Sequence, residues 1–240
     1  MSRKLTDNQI NTLQIVFRFR FVTARNLADT QHIDRSTAFT TLEKLYRQGY
    51  LGKHYDSSYH LTHKHAKYYL TEQTINMLRT LSESGIPTHI WKNRIRDKSR
   101  SNEFIEHQVA LHAAYNAVHT KLAPNAAIQL AFERTDRDNI VTPPPDLIIT
   151  PNEGTPFFVD ITDDQPLFLV KKRIRRYIRH FDDGEWDWVS YPTVNLVRTS
   201  SSVERTNLRT YIDARMDEAY LDESDITIHV ISSISRIAVP

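Results

Sequence analysis

Apolar residues recur in the first twenty positions at Ile10, Leu13, Ile15, Val16 and Phe17, close to the spacing that puts one stripe on a helix, and predict a helix over 7–19. A second helix is predicted over 23–29, capped by Thr23 and burying Ala24, Leu27 and Ala28. A third runs from Asp34, read as a side-chain cap, to about Gln48, with Ala38, Leu42 and Leu45 as its inner seam. Gly49 stops it in a left-handed turn. The period then changes to two. Residues 50–55 and 59–62 alternate as short strands around Asp56-Ser57-Ser58, and a further helix is predicted over 63–81 with Ala66, Tyr69, Leu70, Ile75, Met77 and Leu78 inward. Three short helices, a glycine stop and a hairpin form the winged helix-turn-helix pattern.

Beyond a segment read as an extended linker, helical spacing returns at Phe104, Leu111, Tyr115, Val118 and Leu122. Strands follow at 127–133, 146–149 and 157–161, a helix at 167–181, a strand at 194–197, a helix at 202–216 and a last strand at 226–231. The fold class is α+β: a winged helix over 1–84, a basic linker over 85–100, and an α/β domain with a central mixed sheet over 101–240.

Composition narrows the class of protein. The chain has 240 residues, 40% hydrophobic and 25% charged, and no cysteine, which removes disulfides, thiol nucleophiles and most structural zinc sites. No window is apolar enough to span a membrane and no signal peptide is apparent, so the expectation is a cytoplasmic protein without a membrane partner. A net charge of +2 hides a division: residues 1–98 carry 16 basic against 8 acidic side chains, and the remainder is acidic on balance. A local cationic excess suits phosphate.

The candidate chemistry follows. The third predicted helix presents Arg35, Ser36, Thr37, Thr40, Lys44 and Arg47 outward, a set of cations and small donors suited to a major groove. Lys53 and His54 on the hairpin are placed to meet flanking phosphates. An extended linker would align alternate cations, Arg94 and Arg96 among them, along a backbone. The histidines at 54, 60, 63 and 65 point in divergent directions and are not expected to form a metal site. Six cations at 171, 172, 173, 175, 176 and 179 are read as one polar face of a helix, with Arg175, Arg176 and Arg179 as phosphate contacts. Asp146 and Asp160 stand on neighbouring strands, and with Glu103 or Glu106 they could converge on Mg²⁺ to polarise a phosphodiester. The alternative is that both carboxylates simply end strands at a solvent edge.

The spacing Pro145-Asp146 … Asp160-Ile161-Thr162 resembles the restriction-endonuclease-like superfamily, whose motif places a lysine where this chain has Thr162. Lys171 or Lys172 is the candidate relocated lysine. The winged helix, the 104–119 segment with His107, the Pro-Asp pair, Phe157-Phe-Val-Asp160 and a helix with Lys172 and Tyr177 are together similar to the replication-relaxation family. That resemblance implies a double-stranded DNA-binding protein of a plasmid or other mobile element, acting in replication, mobilisation or transcriptional control. Two alternatives remain open beside it: a Mg²⁺-dependent endonuclease targeted by the winged helix, and a non-catalytic adaptor that recruits a relaxase or replication initiator. A homodimer is a further expectation.

Overall fold

The computed structural model describes residues 5–55, 65–82, 85–122, 126–133, 139–163 and 165–237. The chain divides into two compact units, Met1–Asn116 and Ala117–Pro240.

In the first unit, α1 (Asp7–Phe19) opens on a capping box in which Thr6 and Gln9 bond each other's backbone. It buries Leu13, Val16, Phe17 and Phe19. Helix α2 (Ala24–Gln31) is capped by Thr23, whose hydroxyl accepts from the Asn26 N–H. Helix α3 (Arg35–Arg47) buries Ala38, Leu42 and Leu45, the predicted seam. Its cap differs from expectation, because the Asp34 side chain makes no capping hydrogen bond. At the other end, Gly49 has φ +80°, the Tyr50 N–H bonds the Leu45 carbonyl and the Gly49 N–H bonds the Tyr46 carbonyl. This pair of bonds is a Schellman motif.

The hairpin corrects the predicted one. Strand β1 (Leu51–His54) pairs antiparallel with β2 (Lys67–Leu70), and the predicted strand at 59–62 lies outside the described residues, as do His60 and His63. Lys67–Leu70, read as part of a helix over 63–81, are therefore strand, and α4 (Glu72–Leu81) begins only after Thr71, whose hydroxyl accepts from the Thr74 N–H. Tyr68 and Leu70 alternate inward as a strand requires, and Tyr68 exchanges two backbone hydrogen bonds with Val22, which makes a third rung beside the hairpin.

The linker is likewise not extended. It folds as α5 (Thr88–Ile95) and a 3-10 turn over Arg96–Ser99. Trp91 packs on Phe17 with ring centroids 4.4 Å apart, and the buried Arg94 donates to the Phe17 carbonyl at 2.8 Å. Asp97, 2% exposed, pairs with Arg20. Burying the Trp91 ring against Phe17 favours this folded course over an extended one, and Arg20 offsets part of the cost of burying Asp97.

Helix α6 (Asn102–His119) joins the first unit more than predicted, and the unit boundary falls inside it rather than at residue 101. Its buried polar side chains explain this. The Asn26 amide donates to the Val109 carbonyl and the Asn116 amide to the Asn26 carbonyl, both at 2.9 Å. The fully buried His112 stacks on Phe19 with centroids 3.8 Å apart, and its Nε2 lies 2.7 Å from the Thr30 hydroxyl. Polar groups buried this way need their partners, so these bonds fix the helix in register against α2.

The second unit holds a five-stranded mixed sheet in the order β3 (Ala127–Leu130), β4 (Leu147–Thr150), β5 (Phe157–Ile161), β6 (Thr193–Val197), β7 (Ile228–Ile231). The first three strands form an antiparallel meander, and β5, β6 and β7 are parallel neighbours. Parallel pairing needs crossovers, supplied by α7 (Leu167–Asp182) and α8 (Ser202–Glu218). Val170, Ile174 and Ile178 of α7 and Leu208, Ile212 and Met216 of α8 cover Ile148, Phe158, Val194, Leu196 and Val230. The α+β class and the mixed sheet are as the sequence indicates.

Candidate nucleic-acid interface and acidic pair

In the first unit, the turn of α3 fixed by its buried seam leaves Arg35, Ser36, Thr37, Thr40, Lys44 and Arg47 exposed. Among the described residues, Lys44 and Arg47 have no carboxylate within ion-pair distance, although Arg47 acts on Glu43 from farther off, and both side chains are exposed. Arg35 lies across the His65 imidazole, its Nη2 at 3.1 and 3.2 Å from the two ring nitrogens. Burial, then the neighbouring Arg35 and Arg25, hold the His65 pKa below its ordinary value.

The hairpin residues divide. Lys53 reaches α3, where its Nζ lies 2.5 Å from Glu43, and Glu43 also accepts from the Tyr68 hydroxyl at 2.6 Å. His54 turns into the hairpin's aromatic cluster, 4.8 Å from the Tyr69 ring. It does not lie outward as a phosphate contact would. Of the linker cations, Arg96 is exposed and Arg94 is buried against α1, so the predicted stripe is broken at Arg94. Exposed aromatic side chains on this surface, Phe39, Tyr46 and Tyr55, escaped the sequence reading. Phe39 and Tyr46 fall outside the α3 seam at 38, 42 and 45, which is the signal that marks them as outward.

In the second unit, Asp146 and Asp160 do come together. The Ile161 N–H donates to the Asp146 carboxylate at 2.8 Å, and the Asp146 N–H donates to Asp160 Oδ1 at 3.2 Å. The cation that meets Asp160 is Arg173, from the inner face of α7. Its Nε donates to Asp160 Oδ2 at 2.7 Å and its Nη2 to Oδ1 at 3.3 Å, while Nη1 donates to the Pro143 carbonyl. The Tyr177 hydroxyl donates to Oδ2 at 2.7 Å and accepts from Arg173. Burial opposes the Arg173 charge, but Asp160 more than compensates and the guanidinium pKa is raised. Burial and then Asp160 push the Tyr177 hydroxyl well up. The group is a neutral, satisfied, buried network that ties β5 to α7 and to the segment before β4.

This arrangement bears directly on a divalent cation. Each oxygen of Asp160 already accepts two hydrogen bonds, and the carboxylate is 6% exposed. A Mg²⁺ ligand needs an open lone pair, and here Mg²⁺ would have to displace Arg173. The residues as placed do not fit that ion. Thr162, at the position of the superfamily's lysine, is 1% exposed and donates to the Val197 carbonyl at 2.8 Å. Lys171 lies with Nζ 4.9 Å from the Tyr211 ring centroid, and Lys172 is exposed. Glu106 pairs with Lys67 in the first unit, and Glu103 is exposed at the start of α6. Among the described residues, no group of three or more His, Asp or Glu side chains is placed to hold a metal.

The inward turn of Arg173 corrects the reading of α7 as a helix with six outward cations. Arg173 falls in phase with Val170, Ile174, Tyr177 and Ile178, the buried positions, so the helical period already carried the signal. Lys172, Arg175 and Arg179 remain fully outward, with Lys171 and Arg176 half-buried beside them. Arg175 donates to the Tyr211 hydroxyl at 2.8 Å. No carboxylate among the described residues pairs with any of the five.

Neither a family model nor a curated protein sequence matches the chain. A solved structure of TrmBL2, described as an archaeal chromatin protein with a novel mode of DNA binding, is similar at 12% identity and a TM-score of 0.25, over 95% of this chain and 74% of that chain. No helix among the described residues is long and apolar enough to cross a membrane.

Proposed function

We propose that the protein binds double-stranded DNA through α3 and the adjoining hairpin. The observation that supports this most is the outward face of α3, where Arg35, Lys44 and Arg47 stand beside Ser36, Thr37 and Thr40 and, among the described residues, no carboxylate lies within ion-pair distance of Lys44 or Arg47. A helix held by its seam with cations and small hydroxyls outward can enter a major groove, the cations on phosphates and the hydroxyls on base edges. In the second unit the outward cations of α7 supply a separate phosphate-binding surface. Their mutual repulsion at four-residue spacing is relieved by an external polyanion.

The setting we infer, a DNA site of a plasmid or mobile element during replication, mobilisation or transcriptional control, rests on the resemblance of the sequence motifs alone. No cleavage step belongs to this reading, since the Asp160 carboxylate is held by Arg173 and Tyr177.

Fluorescence anisotropy on a labelled duplex tests it. Wild type should bind, and Arg35→Ala with Lys44→Ala should weaken binding at least tenfold with the fold intact by circular dichroism. Equal affinity of the two proteins would contradict docking through α3.

A further inference from the structure

The outward side of α7 carries more than charge. Phe168, Lys172, Arg175 and Arg179 follow at intervals of four, three and four residues and fall on one line of the helix, about 16 Å long. The line begins on a phenylalanine that is 68% exposed, with Leu169 beside it 41% exposed. Val203, in the first turn of α8, is 67% exposed. These two first turns are neighbours. Strands β5 and β6 are parallel, so both helices start at the same end of the sheet. There Asp163 accepts from the Thr199 and Ser200 N–H groups at 2.6 and 3.2 Å, and Arg198 donates to the Gln165 carbonyl at 2.8 Å, which ties the two helix starts together. Phe168, Leu169 and Val203 thus stand at one apolar end of this layer, and the cations of α7 lead away from it.

Phosphate accounts for the cations and leaves the apolar end unexplained. The strongly apolar surface of a DNA duplex is the faces of its stacked bases, and a side chain reaches them by entering a groove and parting two base pairs. Phenylalanine and leucine are side chains suited to this, and cations beside them can hold the phosphates of the kinked strand. An anionic bilayer also offers phosphate over an apolar phase, but a helix lying in that interface puts its whole apolar face into it. The apolar face of α7, with Val170, Ile174 and Ile178, is packed on the sheet, and outward only its first turn is apolar.

We infer that Phe168 is a wedge that enters between two base pairs of a duplex, with Leu169 against the opened step, and bends the DNA while Lys172, Arg175 and Arg179 hold the neighbouring phosphates. The inference rests on the DNA-binding reading and adds to it a deformation of the duplex, with a preference for steps that unstack readily.

A duplex with a dye at each end reports bending by energy transfer, and anisotropy on the same duplex reports binding. Saturating wild type should raise the transfer efficiency, and a duplex with one mismatched pair, where unstacking costs less, should bind roughly tenfold more tightly than the fully paired one. Phe168→Ala/Leu169→Ala should bind more weakly, leave the bound duplex straighter and lose the preference for the mismatch. Val189→Ala, a control at a fully exposed apolar position outside α7 and α8, should bend DNA as wild type does. A duplex that stays straight when bound by wild type, or that Phe168→Ala/Leu169→Ala bends to the same extent, would overturn the wedge and leave DNA binding standing. Failure of wild type to bind any duplex would overturn both. Sedimentation with phosphatidylserine vesicles separates the remaining occupant: wild-type binding that is lost in Phe168→Ala/Leu169→Ala, with the duplex bend unchanged, would assign the apolar end to a bilayer and overturn the wedge.

Discussion

At the scale of single residues, the Asp160, Arg173 and Tyr177 network decides how the acidic pair behaves. A buried ion pair whose lone pairs are all filled is costly to break from one side, because the survivor is left charged and without a partner. Asp160→Ala and Arg173→Ala should each lower unfolding free energy by about 3–5 kcal/mol, read by urea denaturation. The double variant Asp160→Ala/Arg173→Ala should lose markedly less than the sum, and strict additivity would contradict the network. His112 makes a second prediction. Burial, with a smaller effect of Arg18, holds its pKa at about 3 against 6.5 in the unfolded chain. Between those values the unfolded chain binds a proton that the folded one refuses, so this group's contribution is complete above pH 6.5 and declines as the pH falls toward 3. The expected slope is roughly 1 kcal/mol per pH unit, and His112→Phe, which keeps a ring on Phe19, should flatten it. An equally steep acid loss in that variant would remove His112 as the cause.

At the scale of elements, the caps are where sequence and stability meet most plainly. Gly49→Ala places a side chain at φ +80° and should cost about 1 kcal/mol, and Thr23→Ala should cost a similar amount by freeing the Asn26 N–H, both measurable as shifts in the denaturation midpoint. These local signals made α1, α2, α3 and the strands of the second unit legible, because caps, glycine stops and apolar periods act over a few residues. The hairpin and linker were less legible. Lys67-Tyr68-Tyr69-Leu70 can be written as helix or strand on period alone, and its pairing with Leu51–His54 and Val22 decides. Residues 88–99 look extended from their alternating charges, yet Trp91, Arg94 and Asp97 find partners on α1 and in Arg20 that charge alternation cannot reveal. The site was legible in the same uneven way. The outward face of α3 follows from its seam, and the meeting of Asp146 with Asp160 follows from the meander, but the choice of Arg173 over Lys171 or Lys172 as the partner cation depends on which helix face packs inward.

At the scale of the whole molecule, each unit carries an outward set of cations, on α3 in the first and on α7 in the second, and the acidic pair helps hold the second unit together. Binding to DNA should then be strongly dependent on salt, since each phosphate neutralised releases counterions. The most direct measurement is the slope of log Kobs against log salt concentration for one duplex, taken for wild type, for Arg35→Ala/Lys44→Ala and for Arg175→Ala/Arg179→Ala. Wild type should show a steep negative slope, and each double variant a slope shallower by about two. A wild-type slope near zero, or a slope unchanged by Arg35→Ala/Lys44→Ala, would contradict DNA binding through α3.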